Sequence, residues 1–186
     1  MTGVFRTCLV RDGVIIAFEQ QCRRLERDAG RALEFPEHSI PNKGLYRLRM
    51  VYEDNSVEMQ YTPYRPKPPK TLLIYPYAVE GSPIKVLAYR EREYLKEYAR
   101  DNGADDALLF CSDGFITEVS NANFFYEHNG QYYTADPSLP YLKGLTLDLL
   151  KIPFNYVKIR PEELPKEAKC YVANSLLGVI PCTLFK

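Results

Sequence analysis

The chain has 186 residues, 46% of them hydrophobic and 26% charged, and its 24 basic residues balance its 24 acidic residues. This length suits one good-sized domain or two small lobes, and the composition is that of a globular chain rather than a disordered one. The zero net charge and the scattered basic residues argue against nucleic acid as the main partner.

The N-terminus shows no signal peptide and no apolar run approaches the length of a membrane span, so we expect a cytoplasmic protein without a membrane partner. The five cysteines have no CxxC spacing and suit free thiols in a reducing compartment. The two histidines, His38 and His128, each lie beside turn residues. We therefore expect no metal site, and we expect the chemistry to depend on a carboxylate, a lysine or a bound cofactor.

The chain opens with a predicted hairpin and a helix. Val4–Val10 alternates as a strand, Asp12-Gly13 supplies a turn, and Val14–Ala17 returns. Apolar residues at helical spacing then predict an amphipathic helix over Phe18–Leu33. Most of its arginines suit a solvated face, and Arg24, beside the apolar stripe, is the one placed to point inward.

A second hairpin and a proline-rich link follow. Leu45–Tyr52 and Val57–Tyr61 predict two paired strands, and Arg47 and Arg49 share one face of the first strand. For this pair, an exposed charged sheet face is the favoured explanation. The segment Pro63–Pro69 is incompatible with a helix and is interpreted as the link between two lobes.

The second half of the chain alternates predicted strands with predicted helices. The strands are Leu72–Pro76, Asp106–Cys111, Phe115–Glu118, Phe124–Tyr126, Gln131–Thr134, Tyr156–Ile159, Cys170–Ala173 and Leu176–Ile180. The helices are Ala88–Asn102, Thr146–Ile152 and Glu162–Ala168. This order predicts an α+β fold with two lobes of mostly antiparallel sheet and flanking helices, a small N-terminal α/β lobe at 1–80 and a larger C-terminal lobe at 81–186.

Four short patterns could carry chemistry, and each also has a plain structural explanation. Glu118 ends a strand at a polar bend, which also fits an ordinary turn with an exposed acid. Lys85 lies in a loop between apolar neighbours that favour its desolvation, although most lysines are solvated surface residues. Gly144-Leu145-Thr146 starts a helix and suits an anion site or a simple N-cap, and Asn174-Ser175 offers further donors or a strand bend.

Together these patterns match the needs of one cofactor. Pyridoxal phosphate requires an amine for its Schiff base, a carboxylate for its pyridinium nitrogen, and cationic or N–H donors for its phosphate. Lys85 offers the amine, Glu118 the carboxylate and Arg24 a cationic donor. The turn at 144–146 adds N–H donors.

Over nearly its whole length the chain resembles the class IV aminotransferases and aminodeoxychorismate lyases. The resemblance is strongest in the segments IKVLAY, GADDALLF, SDGFITEVSNANFFY, GQYYT and LKGLT, between Ile84 and Thr146. It implies fold type IV of the pyridoxal-phosphate enzymes, the D-amino acid aminotransferase-like architecture, and a homodimer. The chain resembles a short form of the family, because the region between its first helix and the Leu45 strand is shorter than in typical members.

The resemblance also implies a role for individual residues. Lys85 would hold the cofactor as an aldimine and act as the catalytic base, and Glu118 would bond the pyridine nitrogen. Tyr89 would contact the phenolic oxygen of the ring, while the phosphate would be bound by Arg24, Leu145, Thr146, Asn174 and Ser175. A substrate carboxylate would be bound by Arg6, Arg47 or Arg49.

The function implied is amino transfer between a small amino acid and a keto acid. One alternative is an aminodeoxychorismate lyase that releases pyruvate and 4-aminobenzoate. The other is a relative that binds the cofactor without turnover, which is suggested by two departures from the family. The chain has Phe5-Arg6-Thr7 where the family has Phe-Glu-Thr, and it starts about one or two strands later than typical members.

Overall fold

The computed structural model describes residues 3–87 and 90–185, and the chain divides into two compact units. Unit 1 comprises Met1–Lys67 and Ile84–Ala88, and unit 2 comprises Pro68–Pro83 and Tyr89–Lys186. The proline-rich link predicted at residues 63–69 contains the first change of unit. The lobe boundary predicted between residues 80 and 81 stays a prediction.

Unit 1 is a four-stranded antiparallel sheet with one helix. Its elements are β1 (Val4–Arg11), β2 (Val14–Ile15), α1 (Phe18–Ala29), β3 (Leu45–Glu53) and β4 (Ser56–Pro63), and the strand order is β2-β1-β3-β4. Both predicted hairpins are confirmed. The helix ends before Leu33, its predicted end, because Gly30 adopts a left-handed conformation at φ 71° and caps the last turn through its N–H group.

The two faces of the unit 1 sheet carry different kinds of side chain. One face packs against α1, where Cys8, Leu48 and Met50 are fully buried together with Leu25 of the helix. Side chains alternate along a strand, so the neighbouring residues of β1 and β3 point to the other face. Arg49 lies there, directly opposite Thr7 of β1.

Unit 2 is built on an eight-stranded mixed sheet. Its strands are β5 (Thr71–Ile74), β6 (Asp106–Phe110), β7 (Ile116–Val119), β8 (Ala122–His128), β9 (Gln131–Ala135), β10 (Phe154–Val157), β11 (Lys169–Asn174) and β12 (Gly178–Leu184). The order is β10-β9-β8-β11-β12-β5-β6-β7, and β7 also pairs with β8. This last pairing closes six of the strands into a ring.

Two helices and one 3₁₀ turn complete unit 2. They are α2 (Arg90–Asp101), α3 (Leu145–Leu149) and the turn Pro161–Glu163. The predicted extents Thr146–Ile152 and Glu162–Ala168 are wrong. Lys151 has a left-handed conformation at φ 51° just before Pro153, and Pro165 lacks the N–H group that a continuing helix would need.

The helices cover different parts of the unit 2 sheet. Leu95 and Ala99 of α2 pack against Ala107 and Leu109 of β6, while Leu147 of α3 packs with aromatic residues of β8 and β11. Within the described residues, no helix is long and apolar enough to cross a membrane.

Candidate active site

The Glu118 carboxylate is buried and forms a hydrogen-bonded ion pair. Glu118 lies on β7, where 6% of the residue is exposed, and its Oε1 accepts a hydrogen bond of 2.5 Å from Nη2 of Arg92 on α2. Gly81 passes beside the same carboxylate, so a Cβ there would lie 3.0 Å from Oε1 and would collide with the carbonyl oxygen of Pro140. A glycine at 81 therefore lets the chain approach the acid closely.

A second ion pair lies one helical turn further along α2. Nζ of Lys96 is 3.5 Å from Oδ2 of the buried Asp106, whose Oδ1 accepts the Ala107 N–H group at 2.8 Å. The Ser120 hydroxyl also donates to Asp106. Residues four apart share a face of a helix, so Arg92 and Lys96 anchor α2 to β7 and β6 through two carboxylates.

Asn123 connects the Glu118 strand to the loop before α3. It pairs directly with Glu118 across β7 and β8. Its Nδ2 donates to the Leu142 carbonyl at 2.8 Å, and its Oδ1 accepts the Gly144 N–H group at 2.6 Å. A side chain at Gly144 would collide with that Oδ1, so glycine is needed there. The loop carrying Leu145 and Thr146 is thereby fixed to the strand opposite Glu118.

The turn that contains Asn174 and Ser175 is attached to the same region. Oδ1 of Asn174 accepts the N–H groups of Leu176 and Leu177 at 3.0 and 2.8 Å, which closes the turn between β11 and β12. Its Nδ2 donates to the carbonyl of Asn121 at 3.2 Å. Asn121 lies in the turn between β7 and β8. Hydrogen bonds therefore join both the segment before α3 and the β11–β12 turn to the β7–β8 hairpin that carries Glu118.

In unit 1, Lys85 is held along the first strand. The Phe5 N–H group donates to the Lys85 carbonyl at 2.9 Å, and Val86 forms an antiparallel bridge with Val4. Nζ of Lys85 lies over the Phe5 ring, 4.7 Å from its centroid. The backbone bonds thus place the amine of Lys85 beside a buried aromatic ring.

The same ring also contacts Arg49. Cζ of Arg49 lies over the Phe5 ring at 4.6 Å from the centroid, and the buried Nε atom of Arg49 has no hydrogen-bond partner among the described residues. Buried N–H groups are nearly always paired, and the buried Nε of Arg6 also has no partner among the described residues. Arg47, the neighbour on the same sheet face, is exposed, and Arg24 of α1 is partly buried.

Arg6 is in a different environment from Arg49. It is 3% exposed and forms an ion pair with Asp28 of α1. Burial lowers the pKa of the Arg6 guanidinium, and the Asp28 carboxylate opposes this shift. Arg6 therefore neutralises a buried acid on the α1 side of the sheet, and its predicted contact with a substrate carboxylate stays a prediction. Tyr89, the predicted partner of the phenolic oxygen, lies outside the described residues.

Sequence reasoning missed Arg92, Asn123 and Gly81. Arg92 is one of many charged residues in its helix, and the pattern alone did not distinguish it from its neighbours. Asn123 did carry a signal, because an amide between the apolar residues of a strand has to find buried partners.

Comparisons with known proteins now decide the family. The family model described as amino-transferase class IV matches residues 3–185. The chain belongs to the class IV aminotransferases. A search of curated proteins finds no match.

Solved structures share the fold of this class IV aminotransferase. A putative 4-amino-4-deoxychorismate lyase from Legionella pneumophila superimposes with a TM-score of 0.77 at 20% identity, covering 98% of this chain and 83% of that one. A branched-chain aminotransferase from Thermoproteus uzoniensis gives 0.82 at 18% identity, with 98% and 78% covered. An aminotransferase from Brucella abortus bound to PLP gives 0.77 at 17% identity, with 98% and 81% covered. The predicted fold type IV architecture is confirmed.

Family membership makes the protein a pyridoxal-phosphate enzyme that acts on small molecules. The residues present fit this cofactor. Each unit, taken by itself, contains a residue type that this cofactor requires. Unit 1 contains the amine of Lys85 beside the Phe5 ring, and unit 2 contains the ion-paired carboxylate of Glu118. Gly81 and Gly144 allow close packing within unit 2, because a Cβ at either position would collide with the Pro140 carbonyl oxygen or with Oδ1 of Asn123. Both the aminotransferase and the lyase interpretations agree with these findings.

Proposed function

We propose that this class IV enzyme moves an amino group between a small amino acid and a keto acid, with Lys85 as the residue that carries the cofactor. The observation that supports this most directly is the Arg49 guanidinium. Its buried Nε has no hydrogen-bond partner in the described part of the chain, and its guanidinium and the Lys85 amine both lie over the Phe5 ring. A guanidinium beside a reactive amine suits a substrate in which a carboxylate is close to an amino group.

Bound pyridoxal phosphate supplies an electron sink for the pair of electrons left when a C–H bond breaks. Lys85 would hold the cofactor through its ε-amine. When that amine is free, it would act as the general base that takes the proton from the α-carbon of the substrate. In amino transfer, the same amine would also return the proton.

The other residues hold the cofactor in place. Glu118 would bond the pyridine nitrogen and balance its positive charge. The role expected for Tyr89, contact with the phenolic oxygen, falls outside the described residues. Arg24 binds the phosphate as the cationic donor. The remaining ligands of the phosphate would be Leu145 and Thr146 at the start of α3, and Asn174 and Ser175 in the turn after β11. The bonds made by Asn123 and Asn174 support this assignment because they fix both loops before a ligand arrives.

The substrate carboxylate is assigned to Arg49 first and to Arg47 second. Arg49 is partly buried and lies over the Phe5 ring beside which Lys85 is held, whereas Arg47 is exposed and its charge is more strongly screened by water. Arg6 is the weakest of the three candidates because Asp28 already balances its charge.

An aminodeoxychorismate lyase is the second candidate. It is favoured by the likeness to the putative lyase from Legionella pneumophila and by the spacing from Lys85 to Glu118, which agrees with the lyases without a gap. In that reaction Lys85 would remove a proton from the substrate. Loss of pyruvate would then leave 4-aminobenzoate.

Attachment of the cofactor to Lys85 is the first test. Purified protein should be yellow with pyridoxal phosphate, and borohydride should fix the cofactor to Lys85 in the wild type but not in Lys85→Ala. Lys151→Ala is the matched control, since Lys151 is an exposed lysine outside the proposed site. Protein that takes up no cofactor would contradict the proposal.

Two assays then separate the candidate reactions. Amino acids with pyruvate as acceptor test for amino transfer, and aminodeoxychorismate tests for formation of 4-aminobenzoate. Amino transfer alone supports the first candidate, and 4-aminobenzoate alone supports the second. Labelled Lys85 with neither activity would indicate a relative that binds the cofactor without turnover.

A cytoplasmic homodimer is part of the same proposal. All five cysteines are free thiols, which suits a reducing compartment. Tyr77 and Tyr94 are 67% and 58% exposed, and large exposed aromatic residues are common at protein interfaces. Light scattering after size-exclusion chromatography tests the dimer, and a mass of about 21.5 kDa, that of one chain, would contradict it.

A further inference from the structure

We propose that Arg92 is a positioning residue for Glu118, which it holds in one orientation and supplies with the counter-charge that a buried carboxylate needs. This inference rests on the proposed contact between Glu118 and the pyridine nitrogen. It adds a residue on α2 to the groups that control where the ring proton resides.

The contact itself is short and well shielded. The Arg92 Nη2 and Glu118 Oε1 atoms are 2.5 Å apart, and only 20% and 8% of the two side chains are exposed. Such a pair is weakly screened by salt, and removing one partner leaves a buried charge without compensation. Arg92 therefore has a strong influence on the energy of the Glu118 carboxylate.

Arg92 cannot easily turn away from the acid. Its Nη1 lies 3.5 Å from the Ser120 carbonyl oxygen, so the guanidinium contacts β7 and the turn that follows it. One turn further along α2, Lys96 holds Asp106, which also accepts the Ser120 hydroxyl. Ser120 thus links the two ion pairs, and the helix is fixed at both positions.

The charges explain how Arg92 would affect a bound pyridine ring. A proton shared between a ring nitrogen and a carboxylate can rest on either atom. The nearby guanidinium stabilises the carboxylate in its charged form, which favours the proton on the nitrogen. Without Arg92, the neutral carboxylic acid would compete, and the ring would be a weaker electron sink.

A purely structural ion pair would anchor α2 without affecting the cofactor. The two possibilities differ in the spectrum of the bound cofactor and in its response to pH, because only a residue that acts on Glu118 changes the protonation of the ring. Thermal stability alone would not distinguish them.

The experiment compares Arg92→Met, Arg92→Lys and Glu118→Gln holoproteins with the wild type. We measure the cofactor dissociation constant and the pH midpoint of the visible absorbance change. Arg92→Met should weaken cofactor binding roughly tenfold, as expected for the loss of about 1.4 kcal/mol from a charge-assisted bond, and should shift the midpoint. Arg92→Lys should restore part of both effects because it keeps the charge.

Two further variants make the result decisive. Arg100→Met, at an exposed position near the end of the same helix, should behave as the wild type. Adding Arg92→Met to Glu118→Gln should change neither readout further, because Arg92 would act only through Glu118. This double variant also removes both charges of the pair, so it avoids the loss of stability expected when only one partner of a buried ion pair is removed.

Two outcomes would overturn the inference. Arg92→Met could match the wild type in both readouts, or its effects could add fully to those of Glu118→Gln. In either case borohydride labelling of Lys85 would still support the proposed function. Wild-type protein that takes up no cofactor would contradict both.

Discussion

The predicted site residues of the two units are held in different ways. In unit 2, Glu118 is bound by Arg92, and the loops at 142–144 and 174–177 are fixed by asparagine side chains. In unit 1, Lys85 and Arg49 lie over the Phe5 ring, and a buried nitrogen of Arg49 has no partner among the described residues. The polar groups described in unit 2 have hydrogen-bond partners, whereas Arg49 in unit 1 has a buried Nε atom without one among the described residues.

This difference matches two tasks that an amino-transferring enzyme has to perform. A cofactor that stays bound benefits from contacts that are rigid beforehand, because little ordering remains to oppose binding. A substrate that enters and leaves needs a charge that is not already neutralised. We therefore expect changes in unit 2 to affect the chemical step and the cofactor, and changes in unit 1 to affect substrate binding.

The largest effect is expected from Glu118→Ala. Loss of a charge-assisted hydrogen bond to the ring nitrogen costs about 3 kcal/mol in the transition state, so kcat should fall roughly 100-fold. Cofactor should remain attached at Lys85, as shown by borohydride labelling. Turnover equal to that of the wild type would return Glu118 to a structural role.

Arg49→Met should give the next largest effect, and the effect should appear in KM. Removing a guanidinium from a carboxylate costs about 1.5 to 3 kcal/mol, so KM for the amino donor should rise roughly 10- to 100-fold while kcat changes less. Steady-state kinetics with varied donor measure both quantities.

Two variants serve as comparisons for Arg49. Arg47→Met should raise KM less, because Arg47 is exposed to water. Arg23→Met, on the solvent side of α1 with 68% of its side chain exposed, should leave KM unchanged. A larger effect at Arg47 than at Arg49 would contradict the assignment of the substrate carboxylate.

Much of the fold could be predicted from the sequence because local patterns determined it. The Asp12-Gly13 turn and the alternation in β1 and β3 predicted the hairpins of unit 1, and Gly103 ended α2 close to the predicted position. Helix ends were less predictable. Gly30 stopped α1 through its backbone conformation, while the apolar spacing continued to Leu33.

The site was less accessible to sequence reasoning because its contacts join distant parts of the chain. Lys85, Glu118 and Arg24 were predicted from residue type and from resemblance to the family, and their roles stay predictions. Arg92 and Glu118 are 26 positions apart in the sequence, and Asn123 and Gly144 are 21 positions apart. The pairing of β7 with β8 brings Asn123 opposite Glu118, and the docking of α2 brings Arg92 to the Glu118 carboxylate.

Asn123→Ala should mainly lower the stability of unit 2. It removes two hydrogen bonds and leaves the Leu142 carbonyl and the Gly144 N–H group without their partner, at a cost of about 2 to 3 kcal/mol. Cofactor binding should weaken as well, because the loop before α3 is released. Urea unfolding and cofactor titration measure the two effects.

Asn155→Ala is the matched control for this change. Asn155 is exposed on β10 and makes a long hydrogen bond of 3.4 Å to the Tyr132 carbonyl, so its loss should change the free energy of unfolding by only about 0.5 kcal/mol. Equal effects of the two substitutions would show that Asn123 does not hold the loop.

The smallest expected effect concerns Asp105, a unit 2 acid that takes no part in the proposed site. Its Oδ2 accepts the N–H groups of Lys70 and Thr71 at 2.8 and 3.0 Å, and these bonds lower the pKa of the carboxyl group. A carboxyl group with a lowered pKa in the folded state stabilises the protein above its unfolded value of about 3.9 and loses that contribution as the pH falls through the folded pKa. Asp105→Asn should therefore reduce the loss of stability below about pH 4 and leave KM unchanged. Thermal unfolding measured between neutral pH and pH 3 tests this, and an unchanged acid dependence would show that the bonds to β5 do not contribute to it.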